Sequence, residues 1–133
     1  MTIDHIAVWV DDIESIRRFY STHFDAVSNE IYRNPKKNYT SCFLSFGENK
    51  TRIELMHRPD VMDSSSPRNF TKGITHLAIS VGNVASVNEL TERLRTEGYT
   101  VQSELRTTGE GYYESVVLDP EENSIEIVAN QLD

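Results

Sequence analysis

The sequence is built from two similar halves, each with one histidine near its start and one glutamate near its end. The histidines, His5 and His76, lie in apolar runs rich in β-branched residues, and Glu54 and Glu126 lie in shorter runs of the same kind. His76 follows His5 by 71 residues, and Glu126 follows Glu54 by 72 residues. Because a duplicated fold places equivalent residues at equivalent positions, the sequence predicts that the four side chains share one site.

Both halves also have the same predicted order of secondary structure. In each half an alternating strand precedes a capped helix with apolar residues at helical spacing, and three further strand-like runs follow. The predicted strands are 3–10, 28–32, 39–46 and 51–57 in the first half, and 74–81, 100–105, 114–118 and 124–129 in the second; a turn is predicted at 47–50. The polar segment 58–73, punctuated by prolines, is predicted to link a module of residues 1–57 to a module of residues 74–133, together forming a single domain of residues 1–133.

Strand parity predicts which way the four side chains point, because side chains on a strand alternate between two faces. On each of the four strands the face opposite the histidine or glutamate is aliphatic and suits packing beneath a helix. We therefore expect an α+β fold in which two repeated β-α-β-β-β modules form a curved mixed sheet. The helices would lie outside, and the four side chains would line the concave face.

The same parity predicts a substrate pocket beside the four side chains. An aromatic floor with one or two guanidinium groups suits a small anionic substrate that has an apolar part. Core packing is the alternative role for the aromatic residues and the methionine, and a solvated surface is the alternative for the arginines. Parity places Trp9, Phe43, Arg52 and Met56 in this pocket, and the loop of the second module is expected to bring Arg106 and Tyr113 to it.

Composition limits the kinds of partner. With 13 Lys and Arg against 21 Asp and Glu, the formal net charge of −8 opposes binding to nucleic acid or to an anionic membrane. The one cysteine, Cys42, cannot form an intramolecular disulfide, and the N-terminus lacks the pattern of a signal peptide. No run approaches the roughly 20 apolar residues of a membrane span. We expect a cytoplasmic protein whose partner is a small molecule.

Four motifs carry a resemblance to a known family. They are Asp4-His5-Ile6-Ala7, Ile53-Glu54-Leu55-Met56, Thr75-His76-Leu77-Ala78 and Leu118-Asp119-Pro120-Glu121-Glu122-Asn123-Ser124-Ile125-Glu126-Ile127. With these motifs the chain resembles the vicinal oxygen chelate superfamily, which includes glyoxalase I, bleomycin-binding proteins and extradiol dioxygenases. The last motif is the most specific, although Glu122 stands where glycine is common. The resemblance implies a divalent metal bound by His5, Glu54, His76 and Glu126, with the modules paired within one chain or across a homodimer.

The implied chemistry is that of glyoxalase I, a lactoylglutathione lyase. Two imidazoles and two carboxylates suit zinc, nickel or cobalt, with manganese and iron as alternatives. Neighbouring substrate oxygens would chelate the metal, which stabilises an enediolate, while Glu126 or Glu54 acts as the base. Glutamate at position 54 looks most like glyoxalase I, because the resemblance to coenzyme A thioester epimerases would favour glutamine there.

Some alternatives stay open. Trp9 and Arg58 stand where bacterial glyoxalase I commonly has an arginine and an asparagine, which leaves the identity of the thiol open. A metal-free binding protein of the bleomycin-resistance type needs none of the four candidate ligands. An iron-dependent dioxygenase normally needs only two histidines and one carboxylate. Four intact candidate ligands favour the lyase over both.

Overall fold

Each helix begins directly after a residue whose side chain caps its first turn. The computed structural model describes residues 1–48 and 51–130. Helix α1, Ile13–Phe24, follows Asp12, whose side chain accepts a hydrogen bond from the backbone N–H of Ser15 at 3.1 Å. Helix α2, Val84–Thr96, follows Asn83, which caps it in the same way. These caps satisfy backbone donors that a helix leaves unpaired in its first turn.

The chain divides into two compact units, Met1–Asp63 and Ser64–Asp133, whose boundary falls inside the segment predicted to be a linker. The first unit has five strands, which are β1 (His5–Trp9), β2 (Val27–Ser28), β3 (Tyr32–Asn34), β4 (Tyr39–Ser45) and β5 (Arg52–His57). They form one sheet in the order β1-β5-β4-β2, with β3 also paired to β4. Strands β1 and β5 are parallel, and the other pairings are antiparallel.

The second unit repeats this plan with four strands, which are β6 (His76–Ser80), β7 (Val101–Thr107), β8 (Tyr113–Leu118) and β9 (Ser124–Val128). Their order in the sheet is β6-β9-β8-β7. Strands β6 and β9 are parallel, and the other pairings are antiparallel. Two mixed sheets with one helix each confirm the predicted α+β class. No helix in the described ranges is long and apolar enough to cross a membrane.

Two local differences separate the structure from the sequence prediction. The strand predicted at 28–32 is split into β2 and β3, because the side chain of Asn29 accepts a hydrogen bond from the backbone N–H of Phe43 at 2.7 Å. The sequence also predicts a simple turn at 34–38, where the chain forms a short 3-10 helix, Pro35–Lys37. The turn predicted at 47–50 lies partly outside the described residues.

Each unit has its own core, and that core positions the histidine and glutamate on the other face of the sheet. Exposure alternates along β1 and along β6, with His5 and His76 on the more exposed face of their strands. The side chains on the opposite face pack in the core, and their burial stabilises each unit mainly through the hydrophobic effect. The side chains with less than 2 % exposure include Ile16, Tyr20, Leu44 and Leu55 in the first unit, and Val87, Leu94, Val117, Ile125 and Ile127 in the second.

Candidate functional site

His5 and Glu54 face each other across neighbouring parallel strands of the first unit, and we call them the first pair. The register pairs Ala7 with Glu54, so the glutamate lies two residues further along its strand than the histidine, on the same face. His5 Nε2 and Glu54 Oε2 are 3.4 Å apart. The other carboxylate oxygen of Glu54 accepts a hydrogen bond from the hydroxyl of Tyr39 at 3.0 Å. The strand register thus brings together two residues far apart in sequence.

Three further side chains surround the imidazole of His5. Asp4 Oδ1 lies 2.7 Å from His5 Nδ1, and the same oxygen accepts a hydrogen bond from the guanidinium of Arg52 at 2.6 Å. The Arg52 guanidinium lies 4.4 Å from the centre of the Phe43 ring, and Phe43 in turn meets the His5 ring edge-on at 5.3 Å. Hydrogen bonds from His5 and Arg52 lower the pKa of Asp4. Asp4 is therefore a charged acceptor for both neighbours.

Aromatic residues continue this face of the first unit. Trp9 meets Tyr39 edge-on with ring centres 6.5 Å apart, and Tyr32 lies 6.3 Å from Tyr39. Burial, reinforced by the hydrogen bond to Glu54, raises the pKa of Tyr39. The sequence reasoning missed Tyr39, although it lies four residues from Phe43 on the same strand and therefore on the same face. Met56 is directly opposite Trp9 in the register of β1 and β5.

His76 and Glu126 form the equivalent arrangement in the second unit, and we call them the second pair. Ala78 is opposite Glu126 in the register of β6 and β9, which repeats the two-residue offset of the first unit. His76 Nε2 and Glu126 Oε2 are 3.2 Å apart. Each of the two units therefore brings one predicted imidazole and one predicted carboxylate together in the same local geometry.

A third carboxylate, Glu114, lies beside the second pair. It is on β8, its side chain is 5 % exposed, and it accepts a hydrogen bond from the guanidinium of Arg106 at 3.0 Å. Burial, together with a hydrogen bond to Glu114, raises the pKa of Glu126. The sequence reasoning missed Glu114. The alternation of side chains along the strand could have identified it, because Glu114 shares a strand face with Val116, which is directly opposite Glu126.

The second pair opens into a cavity of ≈ 950 Å³ within the second unit. Its lining includes His76, Glu126, Glu114 and Arg106, together with residues of the loop that follows β7. Tyr113, a predicted pocket residue, lies elsewhere: its hydroxyl donates a hydrogen bond to Asn88 of α2 at 2.7 Å. Because successive residues on a strand face opposite ways, Tyr113 points toward the helix while Glu114 faces the cavity.

The two remaining histidines are placed away from these pairs. His23 is a buried residue of α1 whose ring lies 5.2 Å from that of Phe19, so it is not on the surface. His57 Nδ1 lies 2.9 Å from the backbone carbonyl oxygen of Val10. Both positions fit packing and hydrogen-bonding roles within the first unit.

The donor chemistry of each pair fits a divalent metal. Imidazole nitrogen and carboxylate oxygen are the donors that zinc and neighbouring transition metals accept. Across the described residues, no group of three or more histidine, cysteine, aspartate or glutamate side chains is arranged to hold a metal ion. Each pair therefore supplies two candidate metal ligands.

Comparison with known proteins finds relatives that align with two thirds or more of this chain. It is 24 % identical over 128 residues to the uncharacterized protein YqjT of Bacillus subtilis, an alignment that covers 94 % of this chain and 96 % of that protein. It is 31 % identical over 98 residues to mitochondrial methylmalonyl-CoA epimerase of Bos taurus, with 68 % of this chain and 53 % of that protein aligned. The chain thus spans about half the length of the epimerase.

Solved structures share the fold. Glyoxalase I from Zea mays matches with a TM-score of 0.78 and 22 % identity, over 98 % of this chain and 45 % of that chain. A trypanothione-dependent glyoxalase I from Leishmania major matches with a TM-score of 0.76 and 22 % identity, over 97 % of this chain and 86 % of that chain.

Sequence motifs identify the family independently of the fold. Residues 2–127 match the family described as the Glyoxalase/Bleomycin resistance protein/Dioxygenase superfamily, which agrees with the vicinal oxygen chelate resemblance of the four motifs. The match covers the motifs that carry both His–Glu pairs. The chain is therefore a member of the Glyoxalase/Bleomycin resistance protein/Dioxygenase superfamily.

Proposed function

We propose that this protein is a metal-dependent lyase or isomerase of the glyoxalase I type. His5, Glu54, His76 and Glu126 would bind one divalent ion, with zinc, nickel or cobalt favoured over manganese or iron. The observation that carries the proposal is the repeated geometry, in which an imidazole and a carboxylate lie 3.4 Å apart in one unit and 3.2 Å apart in the other. If one pair had only a structural role, the other unit would not need the same two-residue offset between its histidine and its glutamate.

The two pairs are proposed to meet in a shared site, formed within one chain or between the two chains of a homodimer. Either arrangement supplies two imidazoles and two carboxylates to each ion. Both also predict one divalent ion per chain. The stoichiometry of metal binding therefore tests the four-ligand site without first establishing the oligomeric state.

A bound divalent ion would act as a Lewis acid that stabilises negative charge on two neighbouring substrate oxygens. The proton would be moved by the chain's own carboxylates, with Glu126 or Glu54 taking it from one substrate carbon and returning it to the next. Tyr39, which donates a hydrogen bond to Glu54, would orient that carboxylate. Burial and a hydrogen bond to Glu114 raise the pKa of Glu126, which would favour its accepting the proton.

The proposed substrate is a small molecule with vicinal oxygens and an apolar part. Trp9, Phe43 and Met56 would contact the apolar part. Arg106 lines the cavity with 59 % of its side chain exposed and would contact a negatively charged group. Arg52 and Arg106 both already bind carboxylates of the chain, so an anionic substrate would compete with Asp4 and Glu114 for them.

Metal analysis followed by a substrate screen tests the proposal. Protein purified without chelator is expected to contain zinc, nickel or cobalt, and to isomerise the hemithioacetal of methylglyoxal with at least one of several thiols. Glu54→Gln or Glu126→Gln should lower kcat by about 100-fold or more, in the range for loss of a general base. Glu89→Gln, an exposed change on α2, is the matched control. Metal-free protein that binds bleomycin-type drugs, or iron-containing protein that consumes oxygen, would contradict the proposal.

Epimerisation of a coenzyme A thioester is a second candidate function, favoured by the 31 % identity to methylmalonyl-CoA epimerase. It would use the same proton transfer beside a carbonyl group. The screen therefore includes methylmalonyl-CoA, with exchange of the proton on carbon followed by NMR in deuterated water. Exchange with this thioester, and no turnover of any hemithioacetal, would assign the epimerase reaction instead.

A further inference from the structure

We propose that Asp4 and Arg52 are positioning residues that hold the His5 imidazole with hydrogen on Nδ1 and the Nε2 lone pair directed at Glu54. The first pair is then ready for a metal before the metal binds, whereas the second pair lacks this support. The role in metal binding rests on the proposed function. The orientation of the ring is a property of the metal-free protein and is testable on its own.

The two distances around the His5 ring decide which nitrogen carries the hydrogen. Asp4 Oδ1 is 2.7 Å from Nδ1, a normal hydrogen-bond length, whereas Glu54 Oε2 is 3.4 Å from Nε2. An ionised carboxylate only accepts hydrogen bonds, so the shorter contact requires a hydrogen on Nδ1. In the neutral ring, Nε2 then presents its lone pair beside a carboxylate oxygen. Two such acceptors facing each other form a favourable arrangement when a cation lies between them.

Arg52 fixes the carboxylate of Asp4. Its guanidinium donates to the same oxygen that contacts His5, and it is held in turn over the face of Phe43, whose ring packs against His5. Arg52 is also directly opposite His5 in the register of β1 and β5. Asp4, His5, Phe43 and Arg52 therefore form a closed ring of contacts, which we call the His5 support ring. A cation stacked on an aromatic face loses less freedom than a solvated one when it binds a carboxylate.

The second unit has different residues at the equivalent positions. Thr75 precedes His76, Ser124 is opposite His76 in the strand register, and Val116 is opposite Glu126 where Phe43 is opposite Glu54. In the described part of the chain, Glu126 is the side chain that pairs with the His76 ring. The two histidines therefore differ in their surroundings although they are equivalent in the repeat. His76 serves as an internal control for any measurement on His5.

Carboxylate partners of metal-binding histidines fix the tautomer and orientation of the ring, and their loss typically lowers metal affinity by about 10–100-fold. Because Asp4 is exposed, its ion pair contributes little to folding stability. Asp4→Ala is therefore expected to fold as the wild type does. Circular dichroism and thermal unfolding check this expectation. Asp4→Asn keeps an acceptor oxygen and should therefore retain part of the support that Asp4 gives to the His5 ring.

The first experiment measures the tautomers by proton–nitrogen NMR of the imidazole rings in metal-free protein at about pH 8, above the ordinary pKa of histidine. Wild-type His5 is expected mainly as the Nδ1–H tautomer. Asp4→Ala should shift it toward the Nε2–H form that predominates in water and leave the His76 signals unchanged. An Nε2–H tautomer in the wild type, or no change in Asp4→Ala, would overturn the positioning role.

The second experiment titrates Co²⁺ into wild type, Asp4→Ala and the matched control Thr75→Ala. Asp4→Ala is expected to bind about 10–100-fold more weakly, and Thr75→Ala within about twofold of wild type. If wild type and Asp4→Ala bind equally, the inference is wrong and the proposed function stands. If the wild type binds no metal, the proposed function fails, while the tautomer comparison still decides whether Asp4 and Arg52 orient His5.

Discussion

Single residues carry the local departures from the family motif, and Glu122 is the clearest of them. It has a φ of 65°, in the left-handed region, within the turn that precedes β9. The buried carboxylate of Asp119 holds this turn by accepting hydrogen bonds from the backbone N–H groups of Glu121 and Asn123, both at 2.9 Å. A non-glycine residue in this conformation costs roughly 1–2 kcal/mol relative to the right-handed one.

Glu122→Gly should therefore stabilise the protein by about 0.5–1 kcal/mol, because the strain relieved exceeds the entropy that glycine adds to the unfolded chain. Denaturant unfolding would record a higher midpoint with an unchanged slope. Glu110→Gly is the control, because Glu110 is also in a turn but is not among the positive-φ residues of the described chain. An unchanged or lower midpoint for Glu122→Gly would contradict the assigned strain.

Cys42 gives a second prediction for a single side chain. It is 1 % exposed on β4, and burial raises the pKa of its thiol. Both effects suppress the reactive thiolate. A thiol reagent such as DTNB should label native protein at pH 8 far more slowly than protein in denaturant. Labelling at equal rates would show that this strand is open to solvent.

Strand pairs explain why the candidate site was largely predictable and where prediction stopped. Parity on single strands was sufficient to assign faces to the four metal-ligand candidates, because each lies among aliphatic neighbours. It did not identify Tyr39 or Glu114, whose roles depend on the register with the next strand. Tyr113 was expected to reach the pocket from a loop, because the sequence does not show that β8 already begins at this residue and fixes the direction of its side chain.

The contact between α2 and β8 gives a prediction for elements. Thr91 and Ser115 are fully buried, and their hydroxyl oxygens are 2.7 Å apart. Thr91→Val leaves the Ser115 hydroxyl without this partner and should cost about 1–3 kcal/mol of unfolding free energy. Adding Ser115→Ala should recover part of that loss, because no buried hydroxyl then lacks its partner. Denaturant unfolding of the two single variants and the double variant measures this coupling. If the double variant loses the sum of what Thr91→Val and Ser115→Ala lose separately, the hydroxyls do not interact.

For the whole molecule, duplication is the property from which the proposed chemistry follows. Each unit folds around its own helix and sheet and brings one histidine and one glutamate together at the same offset. Neither pair alone supplies the ligands of a typical catalytic metal site, which has three or more protein ligands. The repeat was visible in the sequence from the spacing of four residues. The contacts that make the two units unequal, such as those of Asp4 and Glu114, required the structure.

Metal stoichiometry across a set of four variants tests the central claim most directly. Equilibrium dialysis with Co²⁺ is predicted to find one ion per wild-type chain, and His5→Ala, Glu54→Ala, His76→Ala and Glu126→Ala should each weaken binding by at least about 100-fold. Co²⁺ should also raise the unfolding temperature of the wild type more than that of any of the four variants, because a ligand that binds only the folded state raises its stability. Wild-type protein that binds no ion, or tight binding that survives removal of either histidine, would contradict a single site built from both pairs.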